Sequence, residues 1–153
     1  MSASGAALTT GQDREKIRDL ISNLNWLSDD GQLEKLLAQF TEDLEYEIEG
    51  MALLRDKASL RAFYEQVFST FTMRIHRTSN EIIEVSGDSA RSRCYWRADL
   101  IRNDVALVSA GRYFDEFVRA NDVWKVRSRR ATMSYISPLH EGWARTRYFD
   151  LAL

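Results

Sequence analysis

His76 and His140 are the only imidazoles in the chain, so a general base that works near neutral pH starts with one of them. His76 stands in a stretch whose period of two predicts a strand with Arg74, His76, Thr78, Asn80 and Ile82 on one face. Such a face is too polar for a plain core. Turned inward, a neutral imidazole there can take a proton from a bound molecule; turned outward, it is a solvated histidine among arginines. Asp29 and Asp30 stand just before Gly31 at the end of an apolar helical stretch. Asp-Asp-Gly is ordinary helix-ending chemistry, yet one of these carboxylates could also meet His76 and stabilise the imidazolium formed on proton abstraction. In Arg127-Ser128-Arg129-Arg130, alternation puts Arg127 and Arg129 on one face and Arg130 on the other. That is either a solvated basic edge or one inward guanidinium for an anionic leaving group.

Other chemistries lack their residues. There is no Gly-rich phosphate loop, no G-x-S-x-G and no H-E-x-x-H. Cys94 is single, and neither histidine is spaced with it as a metal site requires. Neither a metal, a disulfide nor a cofactor is expected. With 21 basic and 23 acidic side chains the net charge is −2, which offers no general attraction to nucleic acid or to an acidic membrane surface. The longest apolar runs, such as Val105-Ala106-Leu107-Val108, fall far short of the roughly 20 residues of a membrane span. Met1 to Gln12 has no basic n-region or apolar h-region. The expectation is a cytoplasmic protein with residues 1–12 as a loose arm.

The elements that must position these residues change character halfway. Thr10 and Asp13 resemble a helix start, followed by Ile17, Leu20, Ile21, Leu24 and Leu27 at helical spacing. Leu33, Leu36, Leu37 and Phe40 mark a second, shorter helix, and Leu44 to Ile48 alternates as a half-buried strand. Leu60, Phe63, Tyr64 and Val67 form a third helical stripe. Beyond these come four long extended stretches, 74–85, 90–102, 105–119 and 123–135, turning at Ser86-Gly87-Asp88, Asn103-Asp104 and Ala120-Asn121-Asp122. Three helices, a short strand and a four-strand meander predict one α+β domain over residues 1–153, with 141–153 as a C-terminal tail. Strands this long must curve, and helices on the concave side leave a pocket at the mouth.

With these elements in place, the chain resembles the SnoaL-like members of the nuclear transport factor 2-like superfamily. The likeness rests on Ile21 to Phe40 with Asp29 inside it, on His76 four residues before Asn80, on Ala110-Gly111-Arg112-Tyr113 and on Val123-Trp124-Lys125-Val126. Glu45-Tyr46-Glu47-Ile48-Glu49-Gly50 and Met133-Ser134-Tyr135-Ile136-Ser137-Pro138-Leu139 are similar to the scytalone dehydratase and hexachlorocyclohexane dehydrochlorinase branch. The resemblance implies a cone-shaped α+β barrel: three N-terminal helices on a strongly curved, mostly antiparallel sheet. It implies a catalytic pair in which His76 removes a proton and Asp29 orients it. Arg129 then assists the leaving group, and Tyr46 and Tyr113 lie in the pocket. Asn80 and Trp96 complete the expected substrate-binding set. Two positions depart from the pattern: Leu24 stands near a lysine or tyrosine of related members, and His140 does not fall where scytalone dehydratase carries a second histidine.

The expected function is a cofactor-independent lyase (dehydratase or dehydrohalogenase-like) or isomerase acting on a small, hydrophobic cyclic molecule. The competing reading is a non-catalytic subunit of the same fold, such as the small subunit of ring-hydroxylating dioxygenases. A pocket filled by its own aromatics, or His76 far from Asp29, would favour the latter. Val105, Leu107, Phe114, Phe117 and Val118 supply more apolar surface than three helices cover, which predicts a homo-oligomer. The resemblance implies a trimer, with a dimer the alternative. The tail with Trp143, Tyr148 and Phe149 would cap the pocket or a neighbouring subunit.

Overall fold

The structure, a computed structural model, describes the backbone of residues 3–143 and the side chains from Thr10 onward. Helices α1 (Ala3–Asp29), α2 (Leu33–Ala38) and α3 (Lys57–Thr70) accompany strands β1 (Phe40–Ile48), β2 (Ala52–Leu54), β3 (Met73–Ser86), β4 (Ser89–Arg102), β5 (Val105–Ala120) and β6 (Val123–Pro138). The strands form one sheet in the order β2-β1-β6-β5-β4-β3. Only the β1–β6 pair is parallel. It joins the short N-terminal strand to the far end of the meander.

Local chemistry sets the joints. Gly31 (φ +67°) ends α1: its N–H bonds to the Ser28 carbonyl, and the Gln32 N–H reaches back to Leu27, a left-handed helix stop that favours glycine. Asp56 caps α3 by accepting the Ser59 N–H at 2.7 Å. Asn103-Asp104 and Asn121-Asp122 all take positive φ, the two-residue hairpin turns their sequence predicts.

The N-terminal arm expected at 1–12 is instead helical from Ala3, where Ala3, Ala6, Ala7 and Leu8 favour a helix. Asp13 is therefore no cap. It is buried at the narrow end of the cone, accepting from Arg119 at 2.8 and 3.0 Å and from the Trp124 indole at 3.1 Å. Ile17, Ile21, Leu36, Phe40, Leu44, Leu60, Phe117 and Val126 fill that end.

Three bulges change which side chains face inward, one of them at Ser134 on β6. Along β6, Val126 pairs with Phe117 but Ser128 pairs with Glu116, so Arg127 is the extra residue. The inward set runs Trp124, Val126, Arg129, Ala131, and Arg127 is exposed. Simple alternation, which puts Arg127 and Arg129 together, fails because a bulge shifts the pleat by one. A second bulge at Asn80 (φ 57°) on β3 turns Ile82 and Asn80 outward and Ile83 inward. The expected outer apolar face is corrected likewise. Leu107 and Phe117 are buried, and the exposed apolar groups on the strands are Ile75, Ile82, Tyr95 and Val123, with Leu53 at the edge. No helix among the described residues is long and apolar enough to cross a membrane.

Candidate active site

The site is laid out in rows across the concave face. Cross-strand pairing sets Tyr46 beside Arg129, Arg129 beside Asp115, and Asp115 beside Ser92. Further toward the mouth, Ser109 pairs with Ala98 and Ala98 with His76. Helices α1 and α3 close the other side. The cavity between them has a volume of about 120 Å³. Its walls are mostly apolar: Leu24, Ile48, Phe63, Val67, Phe71, Leu100, Met133 and Ile136.

At one pole Asp29, the last residue of α1, meets β3. One carboxylate oxygen accepts the His76 backbone N–H at 2.7 Å and the other lies 2.5 Å from Nδ1. An ionised carboxylate only accepts, so Nδ1 carries the proton and the neutral ring keeps Nε2 as a free base. His76 lines the cavity. Arg74 fixes this meeting from behind, donating to the carbonyls of Ser28 (3.2 Å), Asp29 (3.1 Å) and Phe71 (2.6 Å) while lying over the Phe68 ring. It thereby ties the ends of α1 and α3 to the strand that carries the histidine. Of the two acidic residues at this helix end, Asp29 is the one that reaches His76; Asp30 is exposed.

At the other pole Arg129, 3% exposed, makes two 2.8 Å bonds to Asp115. Burial works to lower its pKa, but Asp115 outweighs that and holds the guanidinium well above its ordinary value. Arg129 also lies over the Tyr113 ring at 4.1 Å and is the cross-strand neighbour of Tyr46. Burial pushes the Tyr46 phenol up, and the nearby Arg129 charge pulls it part of the way back. Tyr64 and Tyr113 are both held well above the ordinary phenol value, chiefly by burial.

Trp96 is a wall residue. Its ring stacks on Tyr113 at 5.6 Å and its indole donates to the Thr132 carbonyl at 3.1 Å. Gly111 makes that possible, since a Cβ there would stand 1.9 Å from the Thr132 oxygen and 2.9 Å from the Trp96 ring.

Five of the seven predicted site residues thus line one cavity, His76, Tyr46, Trp96, Tyr113 and Arg129, and Asp29 stands directly behind His76. Asn80 does not. The β3 bulge leaves it exposed on the outer face. His140 is exposed in the turn after β6, and Tyr148 and Phe149 lie outside the described residues. Sequence reasoning missed Tyr64, read as core in an apolar stripe, and Asn25 and Ser28, polar breaks on the inward face of α1. Among the described residues no cluster of His, Cys, Asp and Glu has the makings of a metal site.

Helices packed on the concave side of a curved mixed sheet, with an apolar pocket between, define a nuclear transport factor 2-like α+β fold. The chain belongs to the SnoaL-like domain family, which matches residues 9–130. Among solved structures it is similar to a protein of Novosphingobium aromaticivorans provisionally named a scytalone dehydratase (20% identity, 96% of this chain and 99% of that one, TM-score 0.81). It is also similar to a hexachlorocyclohexane dehydrochlorinase (LinA) of type 2 (23% identity, 94% and 96%, TM-score 0.77). A third, also from N. aromaticivorans and provisionally named an aromatic ring hydroxylase, shares 26% identity over 83% of this chain and 93% of that one, TM-score 0.78. No curated protein matches the chain.

Proposed function

We propose that the chain is a cofactor-independent lyase or isomerase that removes a carbon-bound proton from a small, uncharged, largely apolar cyclic molecule. One observation carries this reading: Asp29 grips both the ring and the backbone N–H of His76 at the wall of an apolar cavity. Nε2 takes the proton, and the carboxylate stabilises the imidazolium that results. The Tyr46 phenol, beside Arg129 on the neighbouring strand and against the Tyr64 ring, donates to an oxygen of the substrate at the far pole. Arg129 acts chiefly through Tyr46, because Asp115 already balances its charge. A positioned base contributes about 10²–10⁴-fold, and water exclusion by the apolar walls adds to it. The non-catalytic alternative calls for a cavity filled by its own rings or a separated His–Asp pair. The open pocket and the 2.5 Å contact support the enzyme instead.

The test is hydrogen–deuterium exchange at carbon across a panel of cyclic ketones and alcohols. Exchange accelerated by the parent chain and lost in both His76→Ala and Asp29→Asn supports the base; undiminished exchange in either variant refutes it. We further propose that the protein works in the cytoplasm as a homotrimer, its subunits meeting over exposed Ile75, Ile82 and Tyr95. Light scattering should then give three times the 17.7 kDa of one chain. A monomer mass contradicts this.

A further inference from the structure

The inward face of α1 carries two polar side chains that nothing in the fold requires. Asn25 lies one turn before both Ser28 and Asp29 and neighbours each of them on the helix surface. Both line the cavity, at 8% and 7% exposed. Neither side chain is among the hydrogen bonds of the described residues, and their polar atoms open onto the cavity, unlike the sealed, partnerless hydroxyls of Thr41 and Ser92. An amide in an otherwise apolar wall loses its solvent when a ligand covers it, and a leucine at 25 would continue the apolar surface of Leu24 without that cost. A buried, unpartnered amide aimed into a cavity beside a base marks a place where a ligand supplies the missing partner.

We propose that Asn25, with Ser28 beside it, is the subsite that binds a neutral carbonyl or hydroxyl oxygen of the substrate next to the C–H that His76 attacks. The inference rests on His76 being the base and adds the class of ligand. For a ring ketone the step balances within the site. The α C–H bond breaks, its proton goes to His76 Nε2, and the electron pair moves onto the carbonyl oxygen as an enolate. An Asn25 N–H holds that oxygen as charge develops on it. The amide also fills the place that Leu24 leaves apolar. Since the Tyr46 pole lies across the cavity, the fitted ligand is an uncharged ring carrying oxygen toward both ends.

Titration of the ¹⁵N-labelled chain with 2-tetralone and with tetralin, which lacks the oxygen, tests this directly. The parent chain should prefer the ketone by roughly fivefold or more, the worth of about one neutral hydrogen bond, with the Asn25 side-chain amide signals shifting as it binds. Asn25→Leu should lose that preference, hold tetralin as before, and melt no lower than the parent, because the amide has no protein partner to lose. A preference unchanged in Asn25→Leu, or no binding of the ketone to the parent chain, overturns the proposal. His76→Ala separates the two readings. It should keep the ketone preference while losing α-proton exchange; if exchange persists there, the base assignment fails and the Asn25 subsite stands.

Discussion

Asp115→Asn removes one charge from an ion pair whose side chains are 3% and 0% exposed. The pair is bidentate at 2.8 Å on both arms, so the variant leaves a guanidinium in the sheet interior with a neutral partner. Removing one member of a buried pair costs about 3–5 kcal/mol, because the other charge stays desolvated. For a chain of this size each kcal/mol lowers Tm by about 2–4 °C, so the melt should fall by about 6–20 °C. The double variant Asp115→Leu/Arg129→Met removes both charges and should return to within about 1–2 kcal/mol of the parent. Thermal and urea melts followed by circular dichroism measure both. A single variant within about 1 kcal/mol of the parent would mean that Arg129 does not depend on Asp115. Arg129 would then be a free anion site rather than a group that acts through Tyr46.

Gly111→Ala drives a Cβ into the Thr132 carbonyl and should cost at least about 1–3 kcal/mol, with changed Trp fluorescence as Trp96 moves; an unaltered melt and spectrum would contradict the packing described. Burial pushes the Cys94 thiol up to about 12 from 9.0, so the unfolded chain ionises first. Stability from this group is whole below about pH 9 and is lost as pH rises toward 12. Tyr46, Tyr64 and Tyr113 act with the same sign above their ordinary value of 10.0. Urea midpoints should fall between pH 9 and 11, less steeply in Cys94→Ala, and a flat series would refute this.

The fold was legible because its signals are local. Asn103-Asp104 and Asn121-Asp122 announce hairpins, and Gly31 announces the stop that leaves Asp29 as the last helical residue. The pairing of Asp29 with His76 was only one of several open options until the family resemblance raised it. No periodicity places a helix end against a strand 47 residues on. What failed was parity. A bulged residue such as Arg127 or Asn80 has no fixed sequence mark, and each one inverts the inside–outside assignments that follow it up to the next bulge. Tyr64 and Asn25 were hidden for a different reason: a phenol in an apolar stripe reads as core, and a lone amide reads as a surface break. Their roles emerge only where α3 and α1 face the same cavity. The helical start at Ala3 reflects alanine propensity acting where a capping pattern suggested a later beginning.

The central claim is that Asp29 fixes the His76 ring with its Nδ1 proton engaged and Nε2 bare toward the cavity. Nitrogen-15 NMR of the imidazoles reads this without any substrate, and His140→Ala leaves His76 as the one histidine signal. In the neutral ring the account predicts a protonated Nδ1, with its proton shifted far downfield by the short bond to Asp29, and an unprotonated Nε2. Asp29→Asn should remove that downfield proton. A neutral His76 carrying its proton on Nε2, or a spectrum indifferent to Asp29→Asn, would contradict the account.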